Sequence, residues 1–234
     1  MTDGIFIKPI AYIETDFKEK FGIPRQSGRA EALSGRIVFL PEYRNPDAIR
    51  ELSGFSHIWL LFDFSKAHRT KWSPTVRPPR LGGNRKVGVF ASRSPFRPNP
   101  IGLSSVRLEN IEETEEGMVL HVSGVDLLSG TPIYDIKPYL PFADSHPDAV
   151  GGYAEETKGF CLEVIFPEAL YEKIPKEKRA ALFECLAEDP RPAYHEEPER
   201  VYRMQYADFD IHFTVENSVL TVKAVHSITE QDML

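Results

Sequence analysis

SSVRLENIEETEEGMVLHVSGVDLLSGTPIYDI, residues 104–136, sets three β-rich runs between two turn signals. Ser104–Ile111, Met118–Val125 and Pro132–Ile136 alternate apolar and polar residues as half-buried strands do. Between the first two, Glu112–Gly117 is polar and ends in glycine, which predicts a hairpin turn. Outward from this stretch the pattern repeats. Ile5–Ile13 is β-rich, Gly35–Pro41 alternates, and a short helical piece is expected near Pro46–Leu52. Phe55–Phe64 (FSHIWLLFDF) is too continuously apolar for a solvated sheet face, so a buried central strand is expected, with His57 as a satisfied core histidine. Lys86–Arg93 is a further strand candidate. Many short strands with little helix predict an antiparallel barrel or sandwich.

Composition changes after this region. The expected organisation is a β-domain over 1–145, a linker over 146–158 and a small α+β domain over 159–234. In the last part FCLEVIF (160–166) reads as a strand. Pro175–Glu188 reads as an amphipathic helix with Ala181, Leu182, Cys185 and Leu186 on one side, and VYRMQY, FDIHFTV and VLTVKAV read as strands.

The net charge of −7 over 234 residues conceals an uneven distribution. Residues 1–150 carry +1 and residues 151–234 carry −8, and from Phe64 to Leu108 there are ten Lys or Arg and no acid. Arg69, Lys71, Arg77, Arg80 and Arg85 of this run are the expected RNA-binding surface, with a solvated basic face as the alternative. Cys161 and Cys185 form no CxxC pair, no apolar run is long enough for a membrane span, and no secretory leader is evident, so a cytoplasmic setting and no metal are expected. GxGxxG, Walker, HExxH and GxSxG patterns are absent.

Three segments exceed what packing requires. Arg77–Gly83 and Ala91–Gly102 place Arg97 and Asn99 among prolines that stiffen the chain and pre-place the side chains for an anionic or amide-bearing ligand. In Gly124–Pro141, Asp135, Lys137 and Tyr139 share one face of an extended segment, as a surface ion pair or as a proton-transfer group. Lys18–Gly28 is a polar loop stiffened by Pro24.

KEKFGIPRQSG (18–28), FSHIW (55–59), RPPRLGGN (77–84), GVFASRSPFRPNPIGLS (88–104), VDLLSGTPIYDIKPYLPFAD (125–144) and EDPRPAY (188–194) together closely resemble the TsaA-like, or TrmO, family. The resemblance runs in order over nearly the whole chain. It implies a mainly β fold, with a β-barrel in place of a Rossmann domain and a small α+β domain after it. It also implies a homodimer, and S-adenosylmethionine-dependent methylation of N6 of threonylcarbamoyladenosine beside the anticodon of threonine tRNAs. By the same resemblance the cofactor contacts are Pro24, Arg25 and Gln26, then Arg93, the stretch from Ile101 to Leu103, and Val125, Asp126 and Leu127. With that substrate, Arg97, Arg80 or Lys137 would hold carboxylate or phosphate, Asn99 an amide or base edge, and Asp135 or Tyr139 would accept a proton. A non-catalytic RNA-binding barrel and a small-molecule methyltransferase are the rival readings.

Overall fold

The computed structural model describes residues 4–81, 85–191, 197 and 199–228, with no side-chain account of Arg80 or Thr157. Six strands close a barrel: β1 (Ala11–Thr15), β2 (Ser34–Phe39), β3 (His57–Asp63), β6 (Ile101–Thr114), β7 (Gly117–Ser123) and β8 (Thr131–Pro138), in the order β1-β2-β7-β6-β3-β8. Two short strands, β4 (Thr75–Val76) and β5 (Val87–Gly88), pair as a separate hairpin. Of the two architectures the sequence allows, the barrel is the one formed, because β1 pairs with β8 (Ala11↔Ile133, Ile13↔Thr131) and leaves no free edge. Ile13, Ile37, Ile58, Leu60, Val106, Leu120, Val122 and Ile133 fill the interior.

The predicted hairpin forms with Thr114 opposite Gly117, so Glu115 and Glu116 make the turn, and Gly117 takes φ +88°. Strand β3 alternates rather than being buried throughout. Ile58, Leu60 and Phe62 point inward, while His57 and Trp59 lie half-buried on the outer face beside the Tyr139 ring. His57 is therefore not a core residue, and its Nδ1 lies 2.9 Å from Ser56 Oγ.

Two further strand expectations shorten. Lys86–Arg93 yields only β5 and then a 3-10 turn at Val89–Ala91, because the facing segment carries Pro74, Pro78 and Pro79, which donate no ladder bonds. Ile5–Ile10 stays outside the sheet, which begins at Ala11. Pro9 cannot donate, and Ile5 and Phe6 are exposed.

Beyond the barrel lie α1 (Pro141–Asp144), β9 (Glu163–Ile165), α2 (Glu168–Tyr171) and α3 (Lys176–Ala187). They are followed by β10 (Tyr202–Tyr206), β11 (Phe209–Glu216) and β12 (Val219–Ser227). The second sheet runs β10-β11-β12-β9, with β9 parallel to β12 and cut short before Pro167. Helix α3 buries Ala181, Leu182, Cys185 and Leu186, the face expected from its spacing.

The two sheets share one core. Phe17 meets Tyr206 edge-on at 5.5 Å, and Phe21 stacks on Phe213 at 6.5 Å. Gly22, at φ +95°, lies where a Cβ would strike the Met204 side chain, so glycine is required for the loop after β1 to reach the second sheet.

Candidate functional site

A cleft of about 2050 Å³ opens beside the barrel, between the loop after β1, the β4–β5 hairpin, the Ala91–Pro98 loop and the end of α3. Pro24, Arg25, Gln26, Arg93, Arg97, Ile101, Leu103, Asp126 and Leu127 line it, as do Arg69, Lys71 and Arg77. The sequence motifs thus converge although they are far apart in the chain.

One polar cluster forms the inner wall. Arg93 Nη1 donates to Gln26 Oε1 at 2.5 Å, and Ser104 Oγ donates to Asp126 Oδ1 at 2.6 Å. Backbone N–H groups of Ser27 and of Asp126 itself also favour the carboxylate, and Arg93 acts on it through space, yet burial dominates and raises the Asp126 carboxyl above the ordinary range. Val125, next to it in the connection between β7 and β8, is fully buried. The loop that offers Gln26 and Ser27 is held against the barrel by the Gly28 N–H, which donates to the Gly124 carbonyl at 2.9 Å. Both glycines have positive φ, and a Cβ on Gly124 would lie 3.5 Å from the Gly28 backbone.

The second domain fixes the other side of that loop. Arg29 grips the nearly buried Glu188 in a bidentate pair, with Nη2–Oε1 at 2.6 Å. Asp189 holds Arg191 at 2.7 Å, and the Arg191 carbonyl accepts Nη2 of Arg25 at 2.8 Å. Residues Glu188–Arg191 of the EDPRPAY motif therefore clamp the loop; 192–196 lie outside the described residues.

Other expected residues are placed differently. Arg97 turns back on its own loop, with Nη1 donating to the Ser92 carbonyl at 2.9 Å. Asn99 is exposed and does not line the cleft. Asp135, Lys137 and Tyr139 also lie outside the lining. Asp135 and Lys137 form an ion pair at 2.8 Å with both side chains well exposed, the surface reading of that pair, and Tyr139 packs on Trp59. Arg85 is bridged to Glu156 at 3.0 Å rather than facing the cleft. The side chain of Arg80 and residues 82–84 lie outside the description.

Asp63 is a cleft residue that the sequence does not single out. It lines the cleft, accepts from His68 Nε2 at 2.8 Å, and lies beside the Tyr134 hydroxyl, which burial and the Asp63 charge push up. Tyr134 reaches it because the β3–β8 register shifts between Leu61 and Phe62, opposite Tyr134. No sequence signal announces that bulge.

A closed barrel whose sequence has no GxGxxG or Walker motif, and whose strand ends and loops converge on a polar-walled, cation-edged cleft, defines a β-barrel ligand-binding protein outside the Rossmann class. Comparison with known proteins narrows this. Residues 12–145 match the family model for the tRNA-methyltransferase O N-terminal domain, and residues 161–228 match that for the TrmO C-terminal domain. The chain belongs to the tRNA-methyltransferase O family. It is 43% identical over 224 residues, 92% of this chain and 95% of the relative, to the tRNA (adenine(37)-N6)-methyltransferase of Escherichia coli K12. It is 44% identical over 214 residues, 88% of this chain and 91% of the relative, to a putative S-adenosylmethionine-dependent methyltransferase, RcsF, of Pseudomonas aeruginosa. The crystal structure of TrmO from Pseudomonas aeruginosa superposes with TM-score 0.76 at 36% identity, covering 96% of this chain and all of that one.

Proposed function

We propose that this chain transfers a methyl group from S-adenosylmethionine to N6 of adenosine 37 in tRNA, and in finer detail to N6 of threonylcarbamoyladenosine beside the anticodon of threonine tRNAs. The observation that carries this reading is the joining, in one cleft, of the Gln26–Arg93–Asp126–Ser104 cluster with a cation-edged wall open to a polyanion. The residues fit the methyl donor. Arg93 is positioned to meet a carboxylate, Asp126 to accept from an ammonium or ribose hydroxyl, and Ile101, Leu103 and Leu127 to cover a purine. When bound, S-adenosylmethionine supplies an activated methyl group on a sulfonium sulfur.

The chain's own residues do the rest. The target nitrogen lies between an adenine ring and a carbamoyl carbonyl, so its lone pair is delocalised and weakly nucleophilic, and orientation matters more than basicity. Arg97 and the prolines around it hold the loop that faces the substrate. One proton must leave the nitrogen, and Asp63, oriented by His68, is the cleft carboxylate we assign to accept it in place of Asp135 or Tyr139, which do not line the cleft. We further propose that residues 1–145 carry the reaction, that 159–234 buttress the Pro24–Arg29 loop, and that the protein works as a cytoplasmic homodimer. Incubation of tRNA with the protein and S-adenosylmethionine labelled in the methyl group tests this. Label is expected in tRNA that carries the threonylcarbamoyl modification and not in the free nucleoside. Binding of the donor without label transfer would favour the non-catalytic reading.

A further inference from the structure

The outer edge of the cleft has two features that donor binding does not explain. The first is aromatic. Trp72 and Phe90 line the cleft with their rings 6.2 Å apart and are 52% and 74% exposed. They come from the two arms of the β4–β5 hairpin, whose base is fixed by buried Val89 with its N–H on the Pro74 carbonyl at 2.9 Å. Anchoring Val89 inward turns Phe90 outward, so this pair is presented by a fixed turn.

The second feature is a knot of cations in the Ser65–Trp72 loop. Lys20 Nζ donates to the Lys66 carbonyl at 2.7 Å, and burial together with the charges of Lys66 and Arg69 lowers the Lys20 ammonium. Arg69 lies 3.7 Å over the Phe96 ring, another cleft-lining aromatic. Among the described residues none of Lys20, Lys66 and Arg69 is bridged to a carboxylate. Crowded cations without an acid call for an anion from outside, and aromatic faces beside them call for a planar partner.

On the reading that the substrate is RNA, we propose that Trp72 and Phe90 stack an unpaired nucleobase next to the methylated one, while Lys20, Lys66 and Arg69 hold the adjoining phosphates. Single-stranded RNA is the occupant that satisfies both features at once, because each nucleotide carries one anionic group and one π-face. A clamp of this kind would hold the anticodon loop open and splay the target base into the cleft, a step that chemistry on a stacked base requires.

The test uses the full-length protein, threonine tRNA that carries threonylcarbamoyladenosine, and the variants Trp72→Ala, Phe90→Ala, Trp72→Phe and the double variant Lys66→Ala/Arg69→Ala. Trp72→Ala and Phe90→Ala are each expected to weaken tRNA binding about 10-fold or more with an unchanged salt dependence, and Trp72→Phe to restore most of it. Lys66→Ala/Arg69→Ala should weaken binding and flatten the slope of log affinity against log salt by about one for each phosphate no longer neutralised. S-adenosylmethionine affinity by calorimetry and mass by light scattering should stay at the parent values throughout. Parent-like tRNA affinity in Trp72→Ala and Phe90→Ala, or in Lys66→Ala/Arg69→Ala, while the parent binds tRNA, would overturn the clamp and leave the proposed function standing. A change of oligomeric state in the aromatic variants would show a protein interface instead, and a loss of donor affinity would show a purine site for the donor; either overturns the clamp. A parent protein that binds no tRNA would overturn the proposed function itself.

Discussion

Among the carboxylates that line the cleft, Asp126 and Asp63 have different partners. Asp126 is half-buried beside Ser104 and Arg93, and burial raises its pKa, so its charged form costs the native state stability above the ordinary aspartate range. That penalty vanishes once pH falls below the unfolded value near 3.8, where the group is protonated in both states. Asp126→Asn is therefore expected to raise the melting temperature at pH 7 and to lower S-adenosylmethionine affinity, with the stability gain disappearing as pH approaches 4. Melting curves across pH, with calorimetry at pH 7, check both halves. A destabilised variant at pH 7 would contradict the placement of the carboxylate. Asp63, held by His68, is the assigned proton acceptor. Asp63→Asn should cut kcat about 10²-fold or more while leaving donor affinity within about 2-fold. An equal loss in donor affinity would make Asp63 a binding group.

At the scale of elements, the loop Pro24–Arg29 owes its position to a segment far away in sequence. The Arg29–Glu188 pair has one nearly buried partner and one that is a third exposed, so Glu188→Ala should cost about 2 kcal/mol, below the range for a fully buried pair. KM for the donor should rise with kcat less affected, because the loop that presents Gln26 and Ser27 loses its brace. Chemical denaturation and steady-state kinetics check the two effects separately. The same scale explains what the sequence made legible. Strands β6, β7 and β8 and helix α3 follow from apolar period and turn residues, and these signals act locally. The clamp of Glu188 on Arg29 joins residues 159 positions apart, and the bulge that brings Tyr134 to Asp63 depends on the register between two strands. Neither has a local signature. Asp135 and Lys137 show the converse. Their alternation marks a shared face, but the sequence cannot tell an outer barrel face from a cleft, and they form a surface pair.

Across the whole molecule, charge is sorted by what each acid already holds. Glu188 and Asp189 are occupied with Arg29 and Arg191, and Glu156 with Arg85. Among the described residues Lys71 and Arg77, both lining the cleft, have no carboxylate bridge. A protein with net charge −7 can thus still present a local positive field to a polyanion. Replacing Lys71 and Arg77 together with alanine should weaken tRNA binding and flatten its salt slope by about two, with S-adenosylmethionine affinity unchanged. Fluorescence anisotropy at several salt concentrations reads this directly. An unaltered slope would make those two residues a solvated face.

The central claim is methyl transfer to N6 of one adenosine. Its most direct test is mass spectrometry of nucleosides from threonylcarbamoylated threonine tRNA after incubation with the protein and S-adenosylmethionine carrying a deuterated methyl group. The account predicts that the threonylcarbamoyladenosine peak is replaced by its labelled methyl derivative, with fragmentation placing the label on the base at N6. It also predicts that Asp63→Asn leaves the original peak in place. An unchanged nucleoside profile with the parent protein, or label on any other nucleoside, would contradict it.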